Sequence, residues 1–462
     1  MKPNILWICT DQQRYDTIAS LGNEHIRTPN IDRLVASGLA FTHAHCQSPI
    51  CTPSRASFLT GMYPSSVHGC CNGNDYWADS FPLVTRLLAD SGYDCGLAGK
   101  LHLAGAYGRI EPRGDDGYRV FKWSHDHRDQ WPEGHAYRDW LAENGHDLGE
   151  MNKSAEDIPP ELHQTTWCAN EAIAFMNEER DGPWLMSVNI FDPHSPFDPP
   201  HEYGDGYDPA AMPAPLFRES DIENQRRLED VDFQNTGKTP EEMGAYEKKA
   251  AYYGMIELID HNVGRMLAAL DESGQRDNTL VIFMSDHGEM LGDHGLILKG
   301  CRFYEGLVRV PLILSGPGIP EGARSDALVE LTDIVPTLLE FAKVEIPERV
   351  QGRSLSGLLT NPDADHRDFV RCEYYRALNP TGPGRSQITG TFGTMYRDRR
   401  YKLCVYHGHE FGELYDMEED PDEFRNLWDD PAHAEVKCDL MKKSFDAAAL
   451  AIDVGPKQVT TF

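Results

Sequence analysis

Four short apolar runs, each followed by polar or charged residues, constrain the fold of this 462-residue chain most strongly. They cover residues 4–10, 93–98, 184–191 and 279–284, with helix-like segments between them. Apolar runs of this length are typical of parallel strands that are buried on both faces. Because open α/β sheets bind ligands at the carboxyl ends of their strands, the sequence predicts an α/β fold with a functional site at one sheet edge.

The residues that follow the first and the last of these runs are candidate metal ligands. Asp11 and Gln12 follow residues 4–10, and Asp286 and His287 come just after residues 279–284. Carboxylate and amide oxygens suit Ca²⁺ and Mg²⁺, and an imidazole shifts the preference of such a site towards Mn²⁺. Taken alone, Asp11 is better explained as a cap of the next turn of the chain than as a metal ligand.

A second feature is the thirteen-residue stretch 49–61, which reads PICTPSRASFLTG. Thr52 or Ser54 could cap a helix here, which would place Cys51 near the N-terminus of that helix. A helix N-terminus favours negative charge, and Arg55 brings a permanent cation to the same place. The stretch therefore predicts a sulfur-bearing residue in an anion-binding pocket, and its alternative is a loop cysteine before an ordinary helix.

The stretch around Cys51 resembles the main signature of the type I sulfatases, which belong to the alkaline-phosphatase superfamily. In that family a maturation enzyme oxidises the cysteine of C-x-P-S-R to Cα-formylglycine, and the hydrated aldehyde serves as the nucleophile. The resemblance implies that Asp11, Gln12, Asp286, His287 and the converted Cys51 hold one divalent ion, Ca²⁺, Mn²⁺ or Mg²⁺. The fold it implies is an alkaline-phosphatase-like sandwich with a central, mostly parallel sheet flanked by helices.

Further motifs extend the resemblance along the chain. Lys100 and His102 form a G-K-x-H motif, and we expect them to point the same way from an extended segment. His194 lies in P-H-S-P, and Lys299 lies where the family carries its second catalytic lysine. Asn72 follows Cys51 by 21 residues, where choline-sulfatase-like relatives carry a substrate-binding asparagine. A role in a loop turn is an equal alternative for this asparagine.

The resemblance also implies a division of roles among these residues. Arg55 and Lys100 would neutralise the charge of the ester, while His194 and Lys299 would assist departure of the leaving group. His102 would deprotonate the second hydroxyl of the hydrated aldehyde, so that sulfate leaves by elimination.

Composition limits the partners of the chain. It has 74 Asp and Glu against 43 Lys and Arg, a formal net charge of −31, which repels nucleic-acid phosphates. We expect no membrane span and no signal peptide, and eleven cysteines without a regular spacing favour a reducing compartment. The predicted protein is therefore cytoplasmic and compatible with a homo-oligomer. The resemblance implies that its partner is a small-molecule sulfate ester.

The pattern of the chain changes after about residue 365, where short alternating runs predict antiparallel strands. We therefore expect a catalytic α/β domain over residues 1–365 and a C-terminal α+β subdomain with an antiparallel sheet over residues 366–462. Residues 105–157 are predicted to form an irregular insertion, and residues 200–240 a loop-like segment. The insertion carries aromatic and histidine residues that could line a substrate pocket: Tyr107, Trp123, His125, His127 and Trp131.

The preferred prediction is a sulfuric ester hydrolase, an arylsulfatase-like enzyme that cleaves an aryl or alkyl sulfate monoester. A phosphonate monoester hydrolase or phosphodiesterase with the same nucleophile is the alternative, because Asp11-Gln12 and Asp286-His287 fit it as well. The phosphonate enzymes resemble one another in lacking the pair Lys100 and His102, so this pair favours a sulfatase. A third hypothesis is a non-catalytic metal-binding relative.

Overall fold

The structure is a computed structural model that describes residues 2–77, 81–106, 108–126, 134–231, 237–378, 391–452 and 460. The strands in these ranges are β1 Asn4–Thr10, β2 Gly38–His45, β3 Asp94–Gly99, β4 Val120–Trp123, β5 Trp184–Ile190, β6 Thr279–Ser285, β7 Arg309–Val310, β8 Leu312–Ser315, β9 Ala323–Glu330, β10 Phe369–Tyr375, β11 Phe392–Asp398, β12 Tyr401–Tyr406 and β13 Gly412–Asp416.

The α-helices in the same ranges differ widely in length. They are α1 Pro29–Ala36, α2 Cys51–Thr60, α3 Val84–Asp90, α4 Ala136–Glu143, α5 Leu148–Met151, α6 Gln164–Met176, α7 His201–Gly204, α8 Glu219–Arg227, α9 Ala245–Glu272, α10 Glu305–Val308, α11 Ile334–Phe341, α12 Ser356–Thr360 and α13 Ala434–Leu450. None of them is long and apolar enough to cross a membrane.

Within the described residues, nine strands form the central sheet in the order β4-β3-β5-β1-β6-β8-β2-β7, with β9 paired to β2. Strand β1 lies at the centre and runs parallel to both β5 and β6. Thr10, the last residue of β1, lies beside Ile190 on one side and Ser285 on the other. The predicted parallel strands are thus confirmed, and their carboxyl ends meet at one edge.

The alternation of side chains along β1 divides the core between the two faces of the sheet. Ile5 and Trp7 pack on one face with Phe58 of α2, and Leu6 and Ile8 pack on the other with residues of α6 and α9. Helices therefore cover both faces, which explains why β1 is apolar throughout rather than alternating.

Two predictions of irregular structure are wrong in part. Within residues 105–157, β4 adds a parallel edge strand to β3, and α4 follows it. Within residues 200–240, α7 and α8 are helical. Strand β4 has only four residues, and α8 is almost entirely polar, so neither shows the apolar periodicity from which an element is predicted.

A second, antiparallel sheet contains β10, β11, β12 and β13 in sequence order. Helix α13 packs on it through its buried residues Leu440 and Ala447. This confirms the predicted antiparallel sheet, while the domain boundary between residues 365 and 366 stays a prediction.

The central position of β1 leads to a stability prediction. Ile8 is fully buried, so Ile8→Ala should lower the free energy of unfolding by about 2–5 kcal/mol through lost burial and a residual cavity. Ile452, which is 64% exposed, provides the matched control, because Ile452→Ala removes the same atoms at the surface. Urea unfolding of both variants tests this, and equal shifts of the two midpoints would contradict the assignment of β1 to the core.

Candidate active site

Four strand ends bring the predicted site residues to one edge of the central sheet. Asp11 follows β1, Asp286 follows β6, Lys100 follows β3, and His194 lies four residues after β5. The parallel register places these ends side by side, as the sequence predicts.

Cys51 reaches this edge as the first residue of α2. The residue before it, Ile50, is extended and forms no side-chain cap. The prediction that Thr52 or Ser54 caps the helix is wrong, because α2 already includes both residues. The backbone N–H of Thr52 instead donates to the side-chain oxygen of Asn72 at 3.1 Å. Asn72 thus has the structural role of a helix cap from outside the helix, and its contact with substrate stays a prediction.

Asp11, Cys51, Asp286 and His287 form a buried group whose potential ligand atoms all lie within 4.8 Å of one another. Cys51 Sγ lies 3.1 Å from His287 Nε2 and 3.6 Å from Asp11 Oδ1. His287 Nδ1 donates to the carbonyl oxygen of Gly288 at 2.9 Å, which leaves Nε2 facing the group. The structure therefore brings these four predicted ligands together.

The charge of this group fits a bound cation. Burial disfavours an imidazolium, yet the Asp286 carboxylate and the Cys51 sulfur together raise the pKa of His287 to about 9. One carboxylate and a sulfur thus favour a positive charge on this fully buried ring. A divalent ion in contact with the same oxygens and Nε2 would benefit from that potential.

Gln12 lies beside this group in the left-handed backbone region, at φ 72°. Its side-chain oxygen accepts a hydrogen bond from Lys299, and its side-chain nitrogen donates to Glu289. The structure thus brings Gln12 into the site and pairs its oxygen with a lysine, while its role as a metal ligand stays a prediction.

Two buried cations, Arg55 and Lys100, contact the carboxylates of the ligand group. Arg55 Nε donates to Asp286 Oδ2 at 2.9 Å, and the Lys100 ammonium contacts the Asp11 carboxylate. Burial opposes ionisation of Asp11, but Lys100, His194 and Arg55 hold its pKa well below the usual range. Arg55 Nη2 lies 3.5 Å from Asp11 Oδ2, so the guanidinium contacts both carboxylates.

The prediction that Lys100 and His102 lie in one extended segment is wrong. Strand β3 ends at Gly99, whose φ is 106°, and His102 has a φ of 58°. A Cβ on Gly99 would overlap the carbonyl oxygen of Asn189, so this position requires glycine. The backbone therefore turns at both residues, which the two-residue period of an extended segment does not describe.

The ring of His102 nevertheless belongs to the site. It lies 4.9 Å from the ring of His125, centroid to centroid. Burial, together with the nearby Lys100 charge, lowers its pKa well below 6.5. His102 is therefore a neutral base at neutral pH.

Lys299 and His194 form the opposite side of the site. His194 Nδ1 donates to the carbonyl oxygen of Ser195 at 2.7 Å, and its Nε2 accepts a hydrogen bond from the Lys299 ammonium. Burial and the Lys299 charge lower the pKa of His194 well below 6.5. The Lys299 ammonium therefore donates to a neutral imidazole at this side of the site.

The residues predicted to line a substrate pocket have mixed outcomes. Trp123 and His125 are described, stack with a centroid distance of 6.4 Å and lie behind His102. Tyr107, His127 and Trp131 lie outside the described residues.

Two buried carboxylates that the sequence analysis did not single out hold the site together. Glu289 accepts the side-chain amide of Gln12 and the backbone N–H of Leu298, next to Lys299. Glu111 accepts the backbone N–H of His102. Glu289 could have been noticed because it lies two residues after His287, whereas no local pattern marks Glu111.

The comparisons with known proteins agree with this geometry. Residues 3–344 match the family model described as Sulfatase, and residues 292–449 match the model described as N-sulphoglucosamine sulphohydrolase, C-terminal. The chain is 33% identical to an arylsulfatase of Clostridium perfringens (strain 13 / Type A), in an alignment that covers 96% of this chain and 93% of that protein. It is 29% identical to a choline-sulfatase of Rhizobium meliloti (strain 1021), with 93% and 83% covered.

A solved structure extends the similarity to the rival activity. The phosphonate monoester hydrolase of Agrobacterium radiobacter superposes with a TM-score of 0.83 at 26% identity, and the match covers 99% of this chain and 98% of that one. The Sulfatase match spans well over half of the chain and includes Cys51, both strand-end ligand pairs and Lys299. This chain therefore belongs to the sulfatase family of the alkaline-phosphatase superfamily.

Proposed function

We propose that the protein hydrolyses sulfate monoesters of aryl or alkyl alcohols. The observation that carries this proposal is the convergence of Arg55, Lys100 and Lys299 on the buried surroundings of Cys51. In a chain with a net charge of −31, cations grouped at one buried point serve an anionic ligand. Family membership and the 33% identity to an arylsulfatase support a sulfuryl group as that ligand.

Two groups would complete the site. Asp11, Asp286, His287 and residue 51 would hold one divalent ion, with Gln12 as a further candidate, and this ion would polarise a sulfuryl oxygen and favour ionisation of the nucleophile. The nucleophilic oxygen would come from Cys51 after its conversion to Cα-formylglycine and hydration of the aldehyde. A site with oxygen ligands alone prefers Ca²⁺ or Mg²⁺. The imidazole of His287 among the ligands shifts this preference towards Mn²⁺.

The chain's own residues then account for binding and for departure of the alcohol. Arg55 and Lys100 hold the sulfuryl oxygens on the side of Asp286 and Asp11. Charge develops on the leaving oxygen as the S–O bond breaks, and the proton that Lys299 shares with His194 neutralises it. Nδ1 of His194 stays engaged with the Ser195 carbonyl, so Nε2 remains the nitrogen that handles this proton.

His102 acts in the second half of the reaction. Its neutral ring accepts the proton of the remaining hydroxyl on residue 51. The electron pair of that O–H bond forms the C=O bond, and the C–O bond to sulfate breaks with its electrons on the sulfate oxygen. Sulfate is released and the aldehyde is restored, so no water needs to attack sulfur.

Phosphonate monoester hydrolysis is the second candidate. The structural match to a phosphonate monoester hydrolase over 99% of this chain supports it. The pairs Asp11-Gln12 and Asp286-His287, which the resemblance to that group implies as ligands, support it as well. The pair Lys100 and His102 favours the sulfate ester. A cytoplasmic location, a maturation enzyme that acts on Cys51 and a homo-oligomeric state remain predictions from the sequence.

Substrate preference distinguishes the two candidates. We expect wild-type protein to cleave an aryl sulfate with a kcat/KM more than about tenfold above that for a phenyl phosphonate monoester, or roughly 1.4 kcal/mol of transition-state discrimination. Cys51→Ala, prepared identically, is the control for contaminating hydrolases and should be inactive on both. A preference for the phosphonate by the same factor would replace the sulfatase proposal with its rival.

The two histidines should differ in their dependence on the leaving group. His194→Ala should slow esters of poorly acidic phenols far more than activated esters, because it disturbs the proton supply from Lys299. His102→Ala should give a burst of phenol followed by slow turnover, whatever the leaving group. Rates over an aryl sulfate series measure both effects. Equal slopes for the two variants would contradict the division of roles.

The metal assignment depends on Asp286. Asp286→Ala should abolish both bound metal and activity, because it removes a ligand and the partner of Arg55. Asp115→Ala removes an equivalent carboxylate that is 79% exposed, and it should keep both. Elemental analysis of the purified proteins measures the ion, and full occupancy in Asp286→Ala would refute the ligand set.

The lowered pKa of His102 has a consequence for the pH profile. Protonated imidazole cannot accept the hydroxyl proton, so turnover should fall as pH drops through the pKa of His102. Burial and Lys100 lower that pKa, so this acidic limb of kcat should lie below pH 6.5 and should be absent in His102→Ala. A limb above pH 6.5 that disappears in His102→Ala would show that the ring is not held neutral.

A further inference from the structure

Glu111 is a buried carboxylate whose hydrogen bonds converge on the segment that carries His102. It is 3% exposed, and it accepts the backbone N–H groups of His102 at 2.7 Å, of Ala104 at 2.9 Å and of Leu103. Its fourth donor is Trp123 Nε1 at 2.9 Å. In the described part of the chain no ion pair involves Glu111, so backbone and indole donors alone satisfy its charge.

Three successive N–H groups that point to one anion require an unusual backbone. His102 provides it by adopting a φ of 58°, a conformation that non-glycine residues rarely hold without external contacts. Burial raises the pKa of Glu111, whereas its four hydrogen-bond donors favour the ionised form. Hydrogen bonds to an ionised acceptor are stronger than neutral ones, so the carboxylate can maintain this conformation. The strained residue is the proposed base, and the group that stabilises the strain is Glu111.

The side chain of His102 has little else to fix its direction. Its Nδ1 finds no hydrogen-bond partner among the described residues. The ring packs edge-on against His125, and His125 stacks on Trp123. Trp123 also donates to Glu111. The Glu111 carboxylate therefore contacts both the backbone of His102 and the indole that supports His125.

We propose that Glu111 is a positioning residue that holds the His102 ring at residue 51 and thereby sets the rate of sulfate release. This proposal rests on the proposed function of the site, in which His102 accepts the hydroxyl proton. The hydrogen-bond partners of Glu111 in the described part of the chain include none of Asp11, Cys51, Asp286 and His287, so its effect passes through His102.

Glu111→Gln tests the proposal with almost no change in volume. The amide replaces one acceptor oxygen by an N–H₂ group, which opposes the donors that converge there. We expect kcat for an aryl sulfate to fall at least about tenfold with KM changed less than about threefold, and a burst of phenol to appear. Wild-type kcat without a burst would overturn the proposal.

Asp260→Asn is the matched control. Asp260 is 2% exposed and accepts the backbone N–H groups of Asn30 and Ile31 at the start of α1. The substitution also replaces a buried carboxylate by an amide, but this carboxylate binds the backbone of α1, away from the site. We expect it to lower the melting temperature and leave kcat unchanged. Equal losses of kcat in both variants would show that Glu111 has only a structural role.

A double-mutant cycle shows whether the effect passes through His102. In a His102→Ala background, Glu111→Gln should cause no further loss of kcat, because the group it positions is gone. If the kcat loss of the double variant equals the product of the two single-variant losses, the proposal is overturned. If Glu111→Gln does not fold, Glu111→Asp retains the charge on a side chain one methylene shorter. Its kcat should lie between that of wild-type protein and that of His102→Ala. A kcat equal to wild type would contradict the proposal.

A crystal structure provides a readout that does not depend on turnover. In Glu111→Gln, His102 should leave the left-handed region and its ring should move away from His125, whereas Asp260→Asn should keep both. An unchanged His102 in Glu111→Gln would refute the positioning role. If wild-type protein hydrolyses no sulfate ester, the proposed function fails, and this structural comparison still decides whether Glu111 holds His102.

Discussion

The contacts between two buried carboxylates and two buried cations hold the site together. Asp286 pairs with Arg55, and Asp11 pairs with Lys100, all at the carboxyl edge of the central sheet. Because an unpaired buried charge is very costly, each of these side chains requires its partner. Arg55 thus holds α2 against β6, and with it Cys51 against the ligand atoms.

The same arrangement explains how an acidic chain can bind an anionic ester. The cations of the site are buried rather than on the surface. Asp11 and Asp286 partly neutralise them, so the site is stable without a bound substrate. A divalent ion at the ligand group would shift the local charge further towards positive. In the proposed reaction the two sides of Cys51 then differ: Lys299 and His194 would face the departing alcohol, and Lys100 and His102 would face the sulfuryl group.

Much of this site can be predicted from the sequence because its parts lie at strand ends. An apolar run followed by Asp11 or Asp286 marks both the element and the place where it delivers its side chain. The backbone of His102 could not be predicted, because it depends on the close approach of Gly99 to β5 and on hydrogen bonds to Glu111. Such contacts join segments that no local pattern relates, and short or very polar elements such as β4 and α8 escape prediction for the same reason.

The chemical state of residue 51 tests the central claim most directly. Intact-protein and peptide mass spectrometry of the active enzyme should find Cα-formylglycine or its hydrate at Cys51, and specific activity across preparations should rise in proportion to the converted fraction. Full sulfate-ester hydrolysis by protein that carries only unmodified Cys51 would contradict the account.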